Sequence, residues 1–352
     1  MKNKSAIVIG WINTGKPADC GETMKNQLMI QKLEELGVHC YQVDFKGWKK
    51  RPWVFLYLLW CMVFHHNASI VFSTSAVNSY PMMRVMKFLN WKCNSVHWVI
   101  GGKFGENVQK NVFKRDVVKI IKHTLVESQI MVQQLEKCGI KNVQQVPNFK
   151  PIKYYPDISA RLSRDLSKEP IRFVFLSRIM PEKGCDYILE ASHLLNKQGY
   201  AKRYIVDFYG KIAESYESDF KQKIQLFNNV SYRGFLNLRE NSGYDQLADY
   251  DVMLFPTYWK GEGFAGVFID AYIAGLPIIA TEWAHNRQFI KEWECGMFIP
   301  VHDVNALAKI MKECVLGEHD IKNMAVACRK MASYYNVDNV VTKELLTNIG
   351  II

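Results

Sequence analysis

The sequence predicts an α/β fold made of two doubly wound domains, and three observations carry that expectation. Its 352 residues are about twice the length of a common single domain. Short apolar runs alternate with amphipathic stretches, the pattern of parallel strands joined by helical crossovers. The alternation also restarts once: an apolar strand leading into a Gly-containing turn and a helix opens the chain at Ala6 and again at Ile171. With 49% hydrophobic and 22% charged residues the chain is globular, which excludes disordered and collagen-like classes.

The elements follow in order. In the first domain, residues 1–150, Ala6–Gly10 is the first strand and a polar turn runs to Gly21. Glu22–Leu36 is then a helix with Met24, Leu28, Leu33 and Leu36 toward the core. Further strands are expected at Val38–Val43, Ala68–Phe72, Ser95–Ile100, Thr124–Val126 and Val143–Val146. Residues 151–170, broken by Pro151, Pro156 and the run SRDLSKEP, read as a linker. In the second domain, residues 171–330, strand Ile171–Leu176 leads through a loop to Gly184. A helix over Cys185–Asn196 follows, with Tyr187, Ile188, Ala191 and Leu195 on one face. Strands are expected at Tyr204–Tyr209, Val230–Tyr232, Val252–Phe255, Pro277–Ala280 and Gly296–Ile299. Residues 331–352 read as a terminal helix that packs back on the first domain.

Nine cysteines, odd in number and without a C-x-x-C pair, point to free thiols in a reducing cytosol. The opening MKNKSAIVIG is too short an apolar run for a signal peptide. The longest apolar run, Trp53–Phe64, falls short of the roughly 20 residues a membrane span needs. Charge is uneven: residues 1–150 hold 21 Lys and Arg against 9 Asp and Glu, whereas the remainder is net −1. A one-sided basic domain suits an anionic partner such as lipid, a phosphorylated substrate or nucleic acid.

The strongest chemical signal is YDVMLFPTYWKGEGFAGVFIDAYIAGLPIIA, from Tyr250 to Ala280. A buried strand ends at Pro256, and a loop with Glu262, Gly263, Phe264, Ala265 and Gly266 opens a helix. Ligands of doubly wound sheets bind at the carboxyl ends of strands, where this loop falls. Its small residues leave backbone N–H groups uncovered at a helix start, which suits an anion. Glu262 and Asp270 lie eight residues apart, slightly over two helical turns, and are expected to face one crevice. Carboxylates there accept hydrogen bonds from sugar or ribose hydroxyls; the alternative is a capping Glu and a solvated Asp. A second signal, FVFLSRIMPEKG, places Arg178 and Lys183 in the loop after a strand, with Gly184 opening a helix. Arg as a bidentate clamp and Lys as a point charge suit a diphosphate. No D-x-D follows the carboxyl end of a strand, where it would hold a divalent ion on the diphosphate, so no metal is expected.

Arg178-x4-Lys183-Gly184 together with Glu262-x7-Asp270 inside EGFAGVFIDAYIAGLPIIA resembles the retaining group 1 glycosyltransferases (family 4) of bacterial capsule and O-antigen clusters. The resemblance runs over essentially the whole chain and is most specific in 171–300. It implies a GT-B fold, two Rossmann-like domains facing across a cleft, with acceptor bound by the first and donor by the second, and no cofactor. It implies that Arg178 and Lys183 hold the donor diphosphate and that Glu262 contacts the donor sugar. Asp270, where the family usually has Glu, would bind the ribose diol. Gly210 and Lys211 in YGK, and Arg233 and Gly234 in YRGF, resemble the strand-end loops that hold the nucleobase. Gly15, in the first turn, would approach the diphosphate, or is simply part of an ordinary turn. The implied partners are a nucleotide-sugar donor, a UDP-sugar favoured over a GDP-sugar, and a saccharide or lipid-linked saccharide acceptor. The implied location is cytoplasmic, peripheral on the inner face of the plasma membrane.

On the acceptor side, family members often carry a His after the fourth strand. Here SVHWVIGGKFG embeds His97 within the strand, where a satisfied core residue is the competing reading. Gly101 and Gly102 allow close backbone approach, and Glu127, following Thr124–Val126, is expected in the same crevice. Lys49, Lys50 and Arg51 precede an apolar helix beginning at Trp53. That combination suits an interfacial anchor on anionic lipid, against the alternative of a buried core helix. Two other functions remain open at this point: another GT-B enzyme such as a nucleotide-sugar epimerase, or a basic nucleic-acid or polyanion binder. No helix-turn-helix, RNP or finger spacing supports the last, so nucleic acid is not an expected partner.

Overall fold

The computed structural model describes residues 4–352. The chain forms two compact units: the first runs to Pro151 and takes up Tyr334–Ile352, and the second is Ile152–Ser333.

The first unit is a parallel sheet of β1 (Ser5–Gly10), β2 (His39–Asp44), β3 (Ser69–Thr74), β4 (Ser95–Val99), β5 (His123–Val126) and β6 (Val143–Gln145), in the order β2-β1-β3-β4-β5-β6. Alternate residues of β1 serve opposite faces, as strand geometry dictates. Ala6 and Val8 pack with Met29, Ile30 and Leu33 of α1 (Gly21–Glu35). Ile7 and Ile9 pack on the other face with Val54, Leu58 and Cys61 of α2 (Val54–Phe64) and with Met83 and Met86 of α3 (Ala76–Phe88).

The single terminal helix expected over 331–352 is corrected. The preceding helix ends at Ala332, a 3-10 turn spans Ser333–Tyr335, and two short helices follow at Val337–Val340 and Lys343–Asn348. The Asn336 side chain accepts from the Asp338 amide and the Thr342 side chain from the Leu345 amide, so each restarts a helix as an N-cap. Val337, Val341, Leu345, Leu346 and Ile349 join the α1 face of the first core.

The second unit is a parallel sheet of β7 (Ile171–Leu176), β8 (Tyr204–Tyr209), β9 (Val230–Gly234), β10 (Val252–Phe255), β11 (Ile278–Thr281) and β12 (Gly296–Ile299), in the order β12-β11-β10-β7-β8-β9. β10, β11 and β12 are buried on both faces and read as continuous apolar runs, whereas the edge strand β9 buries only Val230. The stretch 152–170 is bound to this unit rather than spanning two. The buried Arg161 guanidinium donates to the carbonyls of Ala248, Tyr250, Ala274 and Gly275. Arg164 clamps Asp251 with two bonds of 2.9 and 2.8 Å. Five donors on a guanidinium satisfy carbonyls at helix and strand ends that would otherwise be buried without partners.

Candidate donor site

In the second sheet the chain starts at β7, moves outward through β8 and β9, then returns to the other side of β7 as β10. The loops after β7 and β10 therefore leave in opposite directions from neighbouring strands, and that divergence makes a binding crevice in doubly wound sheets. The two loops are stitched together. Tyr258 N–H donates to the Glu182 carbonyl at 2.9 Å, and the Thr257 hydroxyl reaches the same carbonyl at 3.3 Å. Gly184 sits between them with φ of 80°, where a Cβ would lie 2.2 Å from the Pro256 carbonyl oxygen, so only glycine fits. It opens the helix Cys185–Lys197.

At this junction Lys183 Nζ donates to Glu262 Oε2 at 2.6 Å, and Thr257 Oγ1 donates to the same oxygen at 3.1 Å. The two charged side chains are only 8% and 9% exposed. Arg178, from the same loop as Lys183, is exposed, and its guanidinium lies 5.6 Å from the centre of the Trp259 ring. Gly263, Phe264 and Ala265 are buried and lead into the helix Gly266–Ala274, with Phe264 stacked on Phe289 at 4.0 Å to fix the loop. Lys183, Glu262 and a helix start thus meet at one strand junction, with Arg178 over Trp259 of the neighbouring loop.

Asp270, on that helix, accepts from the Tyr244 hydroxyl at 2.7 Å. Tyr244 comes from the helix Asn241–Ala248, and burial, then the Asp270 charge, raise its phenol well above the usual range. Beside β7 the loops of β8 and β9 are also laced in. Gly210, with φ of 140°, has its Cβ position 1.8 Å from the Ser177 carbonyl oxygen, and its N–H donates to the Gly234 carbonyl. Ile179 N–H donates to the carbonyl of Lys211, whose side chain is exposed. Arg233 donates to Asp207 at 2.9 Å, and Asp207 also accepts from Tyr250.

The first unit has its own strand-order reversal between β1 and β3. A polar cluster gathers there, in which the expected Glu127 is joined by Glu22, Lys25 and Asn26, which the sequence did not single out. Glu22 accepts from the Thr74 hydroxyl at 2.6 Å; Asn26 donates to the carbonyls of Trp11 and Ser73; Lys25 and Glu127 form an ion pair of 2.7 Å, 3% and 4% exposed. Burial raises the Glu22 carboxyl above the usual range. The available signal was placement: Glu22, Lys25 and Asn26 precede Met29 and Leu33 on the inward stripe of α1, where apolar residues are the rule. Gly15 lies in an exposed turn with φ of 75°; Gly101, with φ of 98°, and Gly102 follow β4. His97 is corrected as an acceptor contact. It is fully buried, its Nε2 is paired with Ser79 Oγ at 3.0 Å, its ring is edge-on to Phe104, and burial pushes its pKa down to about 3. It is a neutral core residue.

Two doubly wound α/β units, the second with Lys183 and Glu262 paired at its strand reversal, match the architecture of the GT-B class. Residues 159–332 match the family described as glycosyl transferases group 1, and the chain carries a domain of that family. A relative from the cps region of Klebsiella pneumoniae, an uncharacterized 41.2 kDa protein, is 24% identical over 297 residues, 84% of this chain and 64% of its own length. The Escherichia coli UDP-Gal:alpha-D-GlcNAc-diphosphoundecaprenol alpha-1,3-galactosyltransferase is 23% identical over 220 residues, 61% of this chain and 54% of its own. The chain thus spans less than two thirds of the length of these relatives. Among solved structures, Anabaena HepE in complex with UDP superposes with a TM-score of 0.70 at 14% identity, covering 97% of this chain and 98% of that one. That likeness bears on fold alone.

Proposed function

We propose that the protein transfers a sugar from a nucleoside diphosphate donor to a saccharide acceptor in surface polysaccharide synthesis. The donor is a UDP-sugar in preference to a GDP-sugar, and transfer retains the anomeric configuration. The acceptor is carried on lipid, as in the name of the galactosyltransferase relative, and the reaction takes place at the cytoplasmic face of the membrane. One observation carries the reading: Lys183 and Glu262 meet at 2.6 Å at the β7/β10 reversal, with Arg178 on the same loop.

A diphosphate entering there takes charge-assisted bonds from Lys183 and Arg178, and this frees the Glu262 carboxylate to accept from donor-sugar hydroxyls. Positive charge fixed next to the leaving diphosphate stabilises the charge that develops as the glycosidic bond breaks. Protein cations fill the role a divalent ion plays elsewhere, so no metal enters the scheme. Asp270, held by Tyr244, accepts from the ribose diol. The leaving phosphate takes the acceptor proton, so no protein base is required. On the acceptor side, the Glu22–Thr74 and Lys25–Glu127 pairs offer polar contacts to a saccharide.

The test is release of UDP from UDP-sugars in the presence of membrane-extracted lipid-linked acceptor, with and without EDTA. Wild type should turn over equally in both, and Glu262→Ala should fall below about a thousandth of it, as expected for loss of a contact made in the transition state. A strict requirement for added Mg²⁺ or Mn²⁺, or a Glu262→Ala variant with more than about a tenth of wild-type turnover, would overturn the scheme.

A further inference from the structure

α2 contains no charged residue from Val54 to Phe64, and only Val54, Leu58 and Cys61 of it are buried. The helix is therefore not the core helix that its all-apolar sequence allows. Its outward face presents Leu56, Leu59, Trp60 and Val63, with Leu56 71% exposed, and Trp53, Phe55 and Phe64 flank that face. A helix on the surface of a globular domain normally turns a polar stripe outward; this one turns Leu, Val and Trp. α3 packs on the same face of the sheet, into the same core cluster, and exposes Val77, Val85, Phe88 and, just past its end, Leu89, with Phe88 88% exposed.

Charge in the stretch of chain that carries α2 and α3 has one sign. Between Asp44 and Glu106 the sequence holds no Asp or Glu, while it holds Lys46, Lys49, Lys50, Arg51, Arg84, Lys87, Lys92 and Lys103. Lys46, Arg51 and Lys87 are turned to Asp19, Asp44 and Asp116. Lys49 and Lys50, in the 3-10 turn Trp48–Lys50 that leads into α2, are exposed, as are Arg84 and Lys92.

We infer that the exposed faces of α2 and α3 form a docking surface for an anionic lipid bilayer, with the helices lying in the interface and not crossing it. Among the described residues no helix is long and apolar enough to span a membrane. Leu, Val and Phe side chains enter the acyl boundary, Trp53 and Trp60 sit at headgroup depth, and Lys49, Lys50, Arg84 and Lys92 meet lipid phosphates. A protein partner burying so apolar a face needs no basic margin, whereas an anionic bilayer fits both features at once. The inference goes beyond sugar transfer and does not depend on it, because binding to vesicles needs neither donor nor acceptor.

The experiment is sedimentation of the full chain with vesicles of phosphatidylcholine alone or mixed equally with phosphatidylglycerol, alongside size-exclusion light scattering without lipid. Wild type should sediment with the mixed vesicles and far less with phosphatidylcholine. Lys49→Gln/Lys50→Gln should weaken binding about thirtyfold, since each basic residue at an anionic surface contributes about fivefold. Leu56→Ser/Val63→Ser/Phe88→Ser should weaken it by more than about a hundredfold while leaving the circular dichroism and Tm unchanged, as these side chains are already solvent-exposed. Equal sedimentation of wild type and the triple serine variant would overturn the inference. So would a lipid-independent dimer that the triple variant dissolves, because a second copy would then be the occupant. UDP release measured on the same samples reports separately on the donor reading.

Discussion

Lys183 and Glu262 are nearly inaccessible, so each is the other's main source of charge compensation. Removing Lys183 leaves the buried Glu262 carboxylate with the Thr257 hydroxyl, and removing Glu262 leaves the buried Lys183 ammonium over the Phe255 ring. Lys183→Ala and Glu262→Ala should therefore each lower the unfolding free energy by about 2–4 kcal/mol. The double variant should cost less than their sum, with a coupling of about 1–3 kcal/mol in a denaturant double-mutant cycle. Additive losses would show that the pair does not act as a unit. The sequence places Glu262 in a loop; its burial beside Lys183 adds a stability cost to the catalytic one. Tyr244→Phe should weaken UDP binding about threefold to tenfold, the value of one hydrogen bond holding Asp270 in place, as measured by titration calorimetry. Arg178, Lys183, Glu262 and Asp270 were legible because their motifs are local in sequence. Tyr244 was not, because it is 26 positions from Asp270 and reads as an ordinary helix residue. Lys25 was not either, because its partner Glu127 lies 102 positions away.

At the scale of elements, β4 is buried along its whole length and carries a histidine. His97 has an ordinary value of 6.5 and a folded value of about 3. The unfolded chain thus binds a proton between those pH values that the native strand refuses. Its contribution is complete above pH 6.5 and is lost as pH falls toward 3. The unfolding free energy of wild type should fall about 1 kcal/mol more per pH unit between pH 6 and 4 than that of His97→Phe, as read from urea titrations. Parallel pH profiles would refute a buried, neutral His97. The inner parallel strands are largely apolar runs, and the edge strands β2, β6 and β9 each keep a Val, so all twelve stand out in the sequence, with ends displaced by only a residue or two. The terminal segment after Met331 did not stand out, because its apolar spacing is helical throughout while Asn336 and Thr342 break it by capping from within. α2 was ambiguous for a further physical reason: an all-apolar helix reads alike whether its outer side meets protein or lipid, and only its exposure decides.

For the whole molecule, the sequence read residues 151–170 as a linker on proline and charge content. Arg161 and Arg164 instead use that stretch to close the ends of β7 and β10 in the second unit. Restarting strand patterns showed the division in two, whereas multidentate guanidinium–carbonyl contacts leave no trace in periodicity. The positive excess of the first half likewise gains meaning only in three dimensions, where Lys49, Lys50, Arg84 and Lys92 are exposed on the chain segment that carries the apolar faces of α2 and α3. On the proposed function, the β7/β10 reversal binds a nucleoside diphosphate through Lys183. Titration calorimetry of UDP into wild type and Lys183→Ala, each checked for folding by circular dichroism, decides this. UDP should bind wild type more tightly than GDP does, and Lys183→Ala should weaken UDP by at least about tenfold, the equivalent of 1.4 kcal/mol for a lost charge-assisted contact. Equal affinity of the folded variant and wild type for UDP, or no binding by either, would contradict it.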